Sequence, residues 1–208
     1  ELVTALIDQV VAAGGSVSGR YGLGEALLDP SQKSLVDTLG SQLLTQQPAS
    51  ASAGATTYDR MGQLIGHSVA TTAPEGAAMS KSASGVAEAL VGADLLSVAQ
   101  QAEGRAPVVL VVLGDDPADD EVDAIVTGLL SGLGQRAAGV VVVGKTHDGG
   151  EGQLGRFRGD PAAAAIASVD GVETAAGQIA AILTLAKVLT TPGGSFCASG
   201  SDGSVPLG

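Results

Sequence analysis

The stretch "PVVLVVLGDDPADDEVDAIVTGLLSGLGQRAAGVVVVGKT", residues 107–146, carries the pattern that decides the fold. Two runs of β-branched side chains, one beginning at Val108 and one ending at Val143, are typical of buried strands. Between them, apolar residues recur at steps of three and four, which places them on one face of a helix. These residues are Val122, Ile125, Val126, Leu129, Leu130 and Leu133. Strand, helix and strand of these lengths form a right-handed crossover between parallel strands, so the sequence predicts an α/β fold.

The segment from Gly139 to Thr146 also fits the phosphate-binding pattern G-x-x-x-x-G-K-[ST]. In such a loop the middle residues turn their N–H groups around an anion, directly before a helix N-terminus. Here all the middle residues are valine, and the residues after Thr146 are glycine-rich and acidic. We therefore interpret this segment as a central strand and the turn after it, and we expect no nucleotide site there.

Similar patterns along the rest of the chain predict about five strands in a mainly parallel sheet flanked by helices, as in Rossmann-like folds. The segments 8–23 and 131–146 share the order helix, glycine, strand, which leaves open two related half-sheets. In the last predicted helix, 174–189, we expect an inward face of Ile179, Ile182, Leu183, Ala186 and Leu189. The predicted helices are 1–13, a helix from Asp29 to Leu44, 58–69, 83–91, 117–136 and 174–189, and the predicted strands are 16–23, 94–100, 107–115, 138–146 and 162–170.

The length allows one sizeable domain or two small ones, and we predict a single domain over residues 1–208 with a glycine-rich tail at 192–208. The small-residue segment 46–57 is predicted to be a flexible loop, with a boundary between two lobes as the alternative. The net charge of −12 disfavours binding to nucleic acid and to anionic lipid headgroups. A single cysteine excludes an internal disulfide, and no apolar run approaches the roughly 18 residues of a membrane helix. Because the chain begins at Glu1 inside an amphipathic pattern, we expect a preceding segment, including any membrane anchor, to be absent from it.

The acidic segment that begins with Asp115 and Asp116 follows a predicted strand, which is where open α/β sheets bind ligands. A divalent cation such as Mg²⁺ or Ca²⁺ would suit these carboxylates. A structural explanation competes with this hypothesis, because Asp116 and Pro117 fit the start of a helix, where acidic residues are favoured by the helix dipole. We favour the structural explanation and keep the pair as weak metal candidates.

The side chains that could bind a soft metal are few and show no C-x-x-C, M-x-x-M or H-x-H spacing that would bring two ligands together. They are Cys197, Met61, Met79, His67 and His147. Cys197 is a weak candidate that would need a partner from elsewhere in the fold or from a second subunit. His67 fits a packing position on a predicted helix, and the sequence has no nucleophile and base in a recognisable motif. We therefore expect no catalytic or cofactor-binding residues, and a binding or scaffold domain in place of an enzyme.

Three phrases carry a family resemblance: "VAAGGSVSGRYGL" at 11–23, "LLDPSQ" at 27–32, and "SVDGVETAAGQIAAILTLAKVL" at 168–189, ahead of the glycine-rich tail. In their order they resemble the actinobacterial MctB family, described as copper-transport outer-membrane proteins. The chain departs from that pattern at Phe196, Cys197 and Ala198, where a Gly-Tyr-Gly type sequence is expected, so no property of that segment is carried over.

The resemblance implies a membrane helix and a coiled coil before Glu1, with this domain outside the cytoplasm, in the cell envelope. The resemblance also implies homo-oligomers formed through the coiled coil, and partners among envelope proteins. The expectation of a role with copper rests on this resemblance alone. The family is similar to SteB, a membrane protein linked to cell separation and to control of peptidoglycan hydrolases. We therefore keep three functional hypotheses. The first is copper homeostasis as a non-enzymatic channel component, and the second is a scaffold that regulates cell separation. The third is an α/β enzyme that uses Mg²⁺ or Mn²⁺ at Asp115 and Asp116.

Overall fold

The computed structural model describes residues 1–23, 57–70, 88–94, 96–100, 108–114, 120–134, 137, 139–145, 152–159 and 166–190. These residues fall into two compact units, the first drawn from 1–17, 107–119 and 137–208, and the second from 18–106 and 120–136. Their elements, in chain order, are α1 (Leu2–Ala12), β1 (Arg20–Leu23), α2 (Thr57–Ala70), β2 (Leu96–Gln100), β3 (Val108–Val112), α3 (Asp120–Gly134), β4 (Gly139–Val143), α4 (Gln153–Gly159), β5 (Ala167–Val169) and α5 (Ala175–Thr190).

The first unit is built on a three-stranded parallel sheet in the order β3-β4-β5. Val108 lies opposite Gly139 on the β3 side, and Val143 lies opposite Val169 on the β5 side. Strand β4 is therefore central, and its residues from Val140 to Val143 are all buried. The predicted parallel pairing of the two valine runs is confirmed, and so is the interpretation of the G-x-x-x-x-G-K-[ST] segment as a central strand.

Helix α5 packs on this sheet through a face of small and medium side chains: Gly177, Ala181, Thr184 and Val188. This face allows close approach, because a Cβ added at Gly177 would overlap the carbonyl oxygen of Gly171. Helix α1 packs against α5 and contributes Leu6 to the same core. The buried apolar residues of this core are Leu6, Val141, Val143, Ala167, Val169, Val172, Ala181 and Val188.

The prediction of which face of α5 points inward was wrong. Ile179, Leu183 and Leu189 are 54%, 53% and 49% exposed. Ala186 is exposed as well, and Ile182 is only partly buried. The helix is apolar around most of its circumference, so periodicity did not distinguish its two sides, and the close approach of helix and sheet selected the side with the smaller residues.

The second unit is built on the helix pair α2 and α3, whose backbones lie unusually close together. A Cβ added at Gly62 would overlap the carbonyl oxygen of Ile125, and one added at Gly128 would overlap the carbonyl oxygen of Asp59. Gly66 occupies the next turn of α2 and meets the backbone of Leu129 in the same way. The buried residues of this core are Met61, Leu64, Ile65, Leu90, Leu96 and Ile125.

The predicted α/β class is confirmed, but the single sheet of about five strands was wrong. In the described part of the chain, β1 and β2 form a separate two-stranded antiparallel sheet, with Leu23 opposite Leu96. The two segments that share the order helix, glycine, strand therefore differ in pairing, because β1 runs antiparallel to its neighbour and β4 runs parallel to both of its neighbours. Strand pairing depends on partners far away in the sequence, which the local pattern does not contain.

The predicted helix boundaries agree closely with the structure where residues are described. Helix α1 ends in a glycine motif: Gly14 has φ of +84°, and the N–H groups of Gly14 and Gly15 donate to the carbonyl oxygens of Val11 and Val10. The predicted helix from Asp29, the glycine-rich tail, and the loop 46–57 apart from Thr57 lie outside the described residues. Within the described residues, no helix is long and apolar enough to cross a membrane.

Candidate functional site

The carboxyl ends of the three parallel strands meet at one edge of the first unit's sheet. Gly114 follows β3, Gly144 and Lys145 follow β4, and Asp170 follows β5. Open α/β sheets bind their ligands at this edge, so it is the position at which a site is expected. The predicted metal candidates Asp115 and Asp116 belong to the segment after Gly114 but lie outside the described residues, as do Cys197, His147 and Met79.

Gln153, the first residue of α4, occupies part of this edge. Its side-chain Oε1 accepts a hydrogen bond of 3.0 Å from the N–H of Gly114, and the residue is only 4% exposed. A backbone N–H at this edge is the kind of donor that phosphate-binding loops direct at an anion. In this chain the donor of Gly114 is instead bonded to a buried amide of the same chain.

An ion pair between Arg158 of α4 and Asp170 lies at the end of β5. The guanidinium Nη1 donates to Oδ2 of Asp170 at 2.8 Å, and Nε donates to Oγ of Ser168 at 2.9 Å. The side chains of Arg158 and Asp170 are 18% and 6% exposed, so the pair is largely removed from solvent. It ties α4 to the last strand of the sheet, and charged hydrogen bonds of this kind are among the stronger ones in proteins.

Each residue of this ion pair also has one polar atom that takes no part in these hydrogen bonds. Within the described residues, Nη2 of Arg158 and Oδ1 of Asp170 are buried and have no hydrogen-bond partner. A buried polar atom without a partner costs about 1–3 kcal/mol. Nη1, Nε and Oδ2 are nevertheless bonded within the chain, so the ion pair is oriented by its own neighbours.

The N-terminus of α5 follows Asp170 and is capped by its own side chains. Thr174 Oγ1 donates to the carbonyl oxygen of Gly171 at 2.8 Å and accepts from the N–H of Gly177 at 3.1 Å. Gln178 Nε2 donates to the carbonyl oxygen of Val172 at 3.1 Å. Thr174 is therefore an N-cap, and it satisfies a donor that a ligand would otherwise find at this helix end.

Sequence reasoning did not identify Gln153, Arg158, Ser168 or Asp170 as members of one cluster. The two charged residues are twelve positions apart and come from a helix and a strand end, so no short spacing marks them. The only available signal was the position of Asp170 at the end of a predicted strand. That signal applies equally to Asp115, which was the residue we singled out.

The soft-metal candidates are not brought together in the described residues. Met61 lies in the core of the second unit with 0% exposure, which removes its sulfur from contact with a metal in solution. His67 lies on α2, but its side chain is outside the described set. The part of the chain that the structure describes contains no group of three or more His, Cys, Asp or Glu side chains that could hold a metal ion.

Comparison with known protein families places the chain. The family model described as "Copper transport outer membrane protein, MctB" matches residues 1–206. The chain belongs to the MctB family. The match spans both compact units and confirms the resemblance seen in the sequence phrases. The family description indicates a role in copper transport or homeostasis at the cell envelope, and it names a transport protein, not an enzyme. The search of curated proteins gave no match.

Proposed function

We propose that the chain serves copper homeostasis as a non-enzymatic domain outside the cytoplasm, acting through contacts with other envelope proteins. The copper role rests on membership of the MctB family. The non-enzymatic part rests on one observation at the carboxyl edge of the sheet, which is that the described residues there are hydrogen-bonded in two sets, Gly114 with Gln153, and Arg158 with Ser168 and Asp170. Placement of the domain at the membrane is part of the proposal and is supported by the family description as an outer membrane protein.

The internal bonding at this edge carries the argument against catalysis. Enzymes stabilise a transition state with donors that are preorganised and aimed at the reacting atoms. Here the side chain of Gln153 accepts from the N–H of Gly114, and Ser168 and Asp170 accept from Nε and Nη1 of Arg158, whose buried Nη2 has no partner among the described residues. Removing one partner of a buried ion pair costs about 3–5 kcal/mol, so a substrate that left either charge buried without its partner would face a penalty of that order before it gained any contact of its own.

The ligand preferences of Cu(I) favour a role through protein–protein contacts over a copper site within the described cores. Cu(I) prefers thiolate and thioether ligands, whereas carboxylates such as Asp115 and Asp116 suit Mg²⁺, Ca²⁺ and Mn²⁺. One of the two methionines, Met61, is enclosed in the second unit's core. A copper site on this chain would draw first on Cys197, the only cysteine in the sequence, because its thiolate is the softest ligand among the candidates.

The first test is genetic complementation with the full-length protein in a host that lacks the gene and has become copper-sensitive. Wild type, the double variant Asp115→Asn/Asp116→Asn, and Cys197→Ser are compared at equal expression. We expect all three to restore copper tolerance, since the proposal gives these side chains no metal-binding or catalytic role. Loss of tolerance in the aspartate variant alone would contradict the proposal and favour a metal-dependent enzyme.

The second test asks whether the domain itself holds copper. The purified chain is titrated with Cu(I) against a chromogenic chelator under anaerobic, reducing conditions, with Cys197→Ser as the matched control. We expect no stoichiometric competition with the chelator. Tight binding that disappears in Cys197→Ser would place copper on the C-terminal tail and would overturn the contact-only role while preserving the copper role.

A second candidate function is a scaffold that regulates cell separation and peptidoglycan hydrolases. The observation that favours it is the exposed apolar face of α5, which provides surface for a protein partner. The same deletion host separates the two candidates. A scaffold for cell separation predicts chained cells at ordinary copper levels, whereas a copper function predicts normal separation and a growth defect that appears only with added copper.

A further inference from the structure

Helix α5 is apolar on the side that faces away from the sheet. We call this side the outer stripe, and it consists of Ile179, Ile182, Leu183, Ala186 and Leu189. Three of its large side chains are about half exposed, at 54%, 53% and 49%. A scattered exposed leucine is ordinary, but several along one helix face form a continuous apolar surface.

The spacing within the outer stripe fits a second helix. Ile179, Ile182, Ala186 and Leu189 follow one another at steps of three, four and three, which is the a/d seam of a coiled coil. That order of steps reads the same in both directions. An antiparallel copy of α5 would therefore place Ile179 against Leu189 and Ile182 against Ala186. Each of these pairs would occur twice, related by a two-fold axis.

Size and charge favour a second copy of the helix as the partner. The large residue Ile182 would meet the small residue Ala186 twice, so the centre of the seam is self-complementary. The chain has 22 acidic residues and a net charge of −12, yet α5 contains none of those acidic residues and only one basic residue, Lys187. Two strongly acidic copies would meet most readily at such an uncharged face, whereas a basic partner would find no counter-charge on the helix.

We propose that the chain self-associates through the outer stripe, with α5 of one copy antiparallel to α5 of another. The three half-exposed side chains offer on the order of 300 Å² per copy, against about 800 Å² per partner in stable complexes. The association is therefore weak in solution, and it strengthens when copies are tethered at one surface, where their effective concentration is high. This inference is independent of the copper role, so either can fail without the other.

The test is sedimentation velocity of the full 208-residue chain from roughly 10 µM to about 1 mM, the range expected for a small interface. Wild type is compared with Ile179→Gln and Leu189→Gln. The matched control is Val91→Gln, which replaces a 44% exposed apolar residue of the second unit. We expect reversible dimerisation of wild type and of the control, and a dissociation constant at least about tenfold higher in both stripe variants. Circular dichroism verifies that each variant is folded.

Cysteine cross-linking tests the antiparallel arrangement. In a Cys197→Ser background, Ile179→Cys and Leu189→Cys are oxidised separately and as an equal mixture. Antiparallel pairing predicts that the mixture forms a covalent dimer much faster than either variant alone. A wild-type chain that stays monomeric throughout the concentration range overturns the proposal, as does dimerisation that is equal in the glutamine variants. Rapid cross-linking of each variant with itself would overturn the antiparallel geometry.

Discussion

The close approach of α2 and α3 makes a sharp prediction about Gly62→Ala. The added Cβ would overlap the carbonyl oxygen of Ile125 and lie 2.8 Å from the backbone nitrogen of Leu129. Both obstacles are backbone atoms of a helix, so no flexible side chain can move aside. The two helices must separate by roughly 1 Å to reach ordinary contact, and a gap of that size removes a quarter to a half of the dispersion energy of each neighbouring contact.

The expected cost follows from two opposing terms. Alanine gains about 0.5–1 kcal/mol over glycine in a helix interior, whereas overpacking typically costs about 1–3 kcal/mol and sometimes more. Because the obstacle is backbone, we expect the second term to win and the free energy of unfolding to fall by a net amount of about 0.5–2 kcal/mol. Gly134→Ala is the matched control, since among the described residues no atom lies within 4 Å of its added Cβ. It should be neutral or slightly stabilising.

The assay uses tyrosine fluorescence during urea unfolding. The chain has two tyrosines and no tryptophan, and both Tyr21 and Tyr58 pack against the core of the second unit. Their signal therefore reports on the unit that contains the helix pair. The reasoning is refuted if Gly62→Ala unfolds at the same urea concentration as Gly134→Ala, or at a higher one. That result would mean that the helices separate without loss of packing.

Three further predictions concern the first unit, each measured by thermal and urea unfolding. Arg158→Met leaves the carboxylate of Asp170 buried without its cation and should cost about 3–5 kcal/mol, much of which the double variant Arg158→Met/Asp170→Leu should restore; equal stability of the two would contradict this. Thr174→Ala removes the N-cap of α5 and should cost about 1 kcal/mol, whereas Thr190→Ala at the exposed end should change little. Gly177→Ala forces α5 away from the backbone of Gly171 and should cost about 1–3 kcal/mol, and an unchanged midpoint would show that the close approach is not required.

The central part of the fold was predictable because two different periodicities stand side by side in 107–146. Continuous valine runs indicate buried strands, and the stripe between them has helical spacing. The structure places β3, α3 and β4 there, with β3 and β4 parallel. On the same physical ground the G-x-x-x-x-G-K-[ST] segment was interpreted as a central strand, and β4 confirms that interpretation.

Other features depend on information that local patterns lack. The antiparallel pair β1 and β2 joins Leu23 to Leu96, residues far apart in the chain, and neither segment specifies its partner. The cluster at the sheet edge likewise depends on α4 meeting the end of β5. Arg158 and Asp170 each look like ordinary surface charges in the sequence, and only their meeting in the fold explains why both are largely buried.

The outward-facing apolar surface of α5 and the glycine contacts have a common physical origin. The sequence contains 31 glycines and only 2% aromatic residues, so its cores gain contact by bringing backbones close together and not by filling space with large rings. Close approach selects small residues for the contact face, as at Gly62 in the second unit and Gly177 in the first. On a helix as apolar as α5, the larger residues Ile179 and Leu183 are thereby left on the opposite face. An exposed helix seam is thus a consequence of the way this chain packs, and the proposed self-association would remove part of that apolar surface from water.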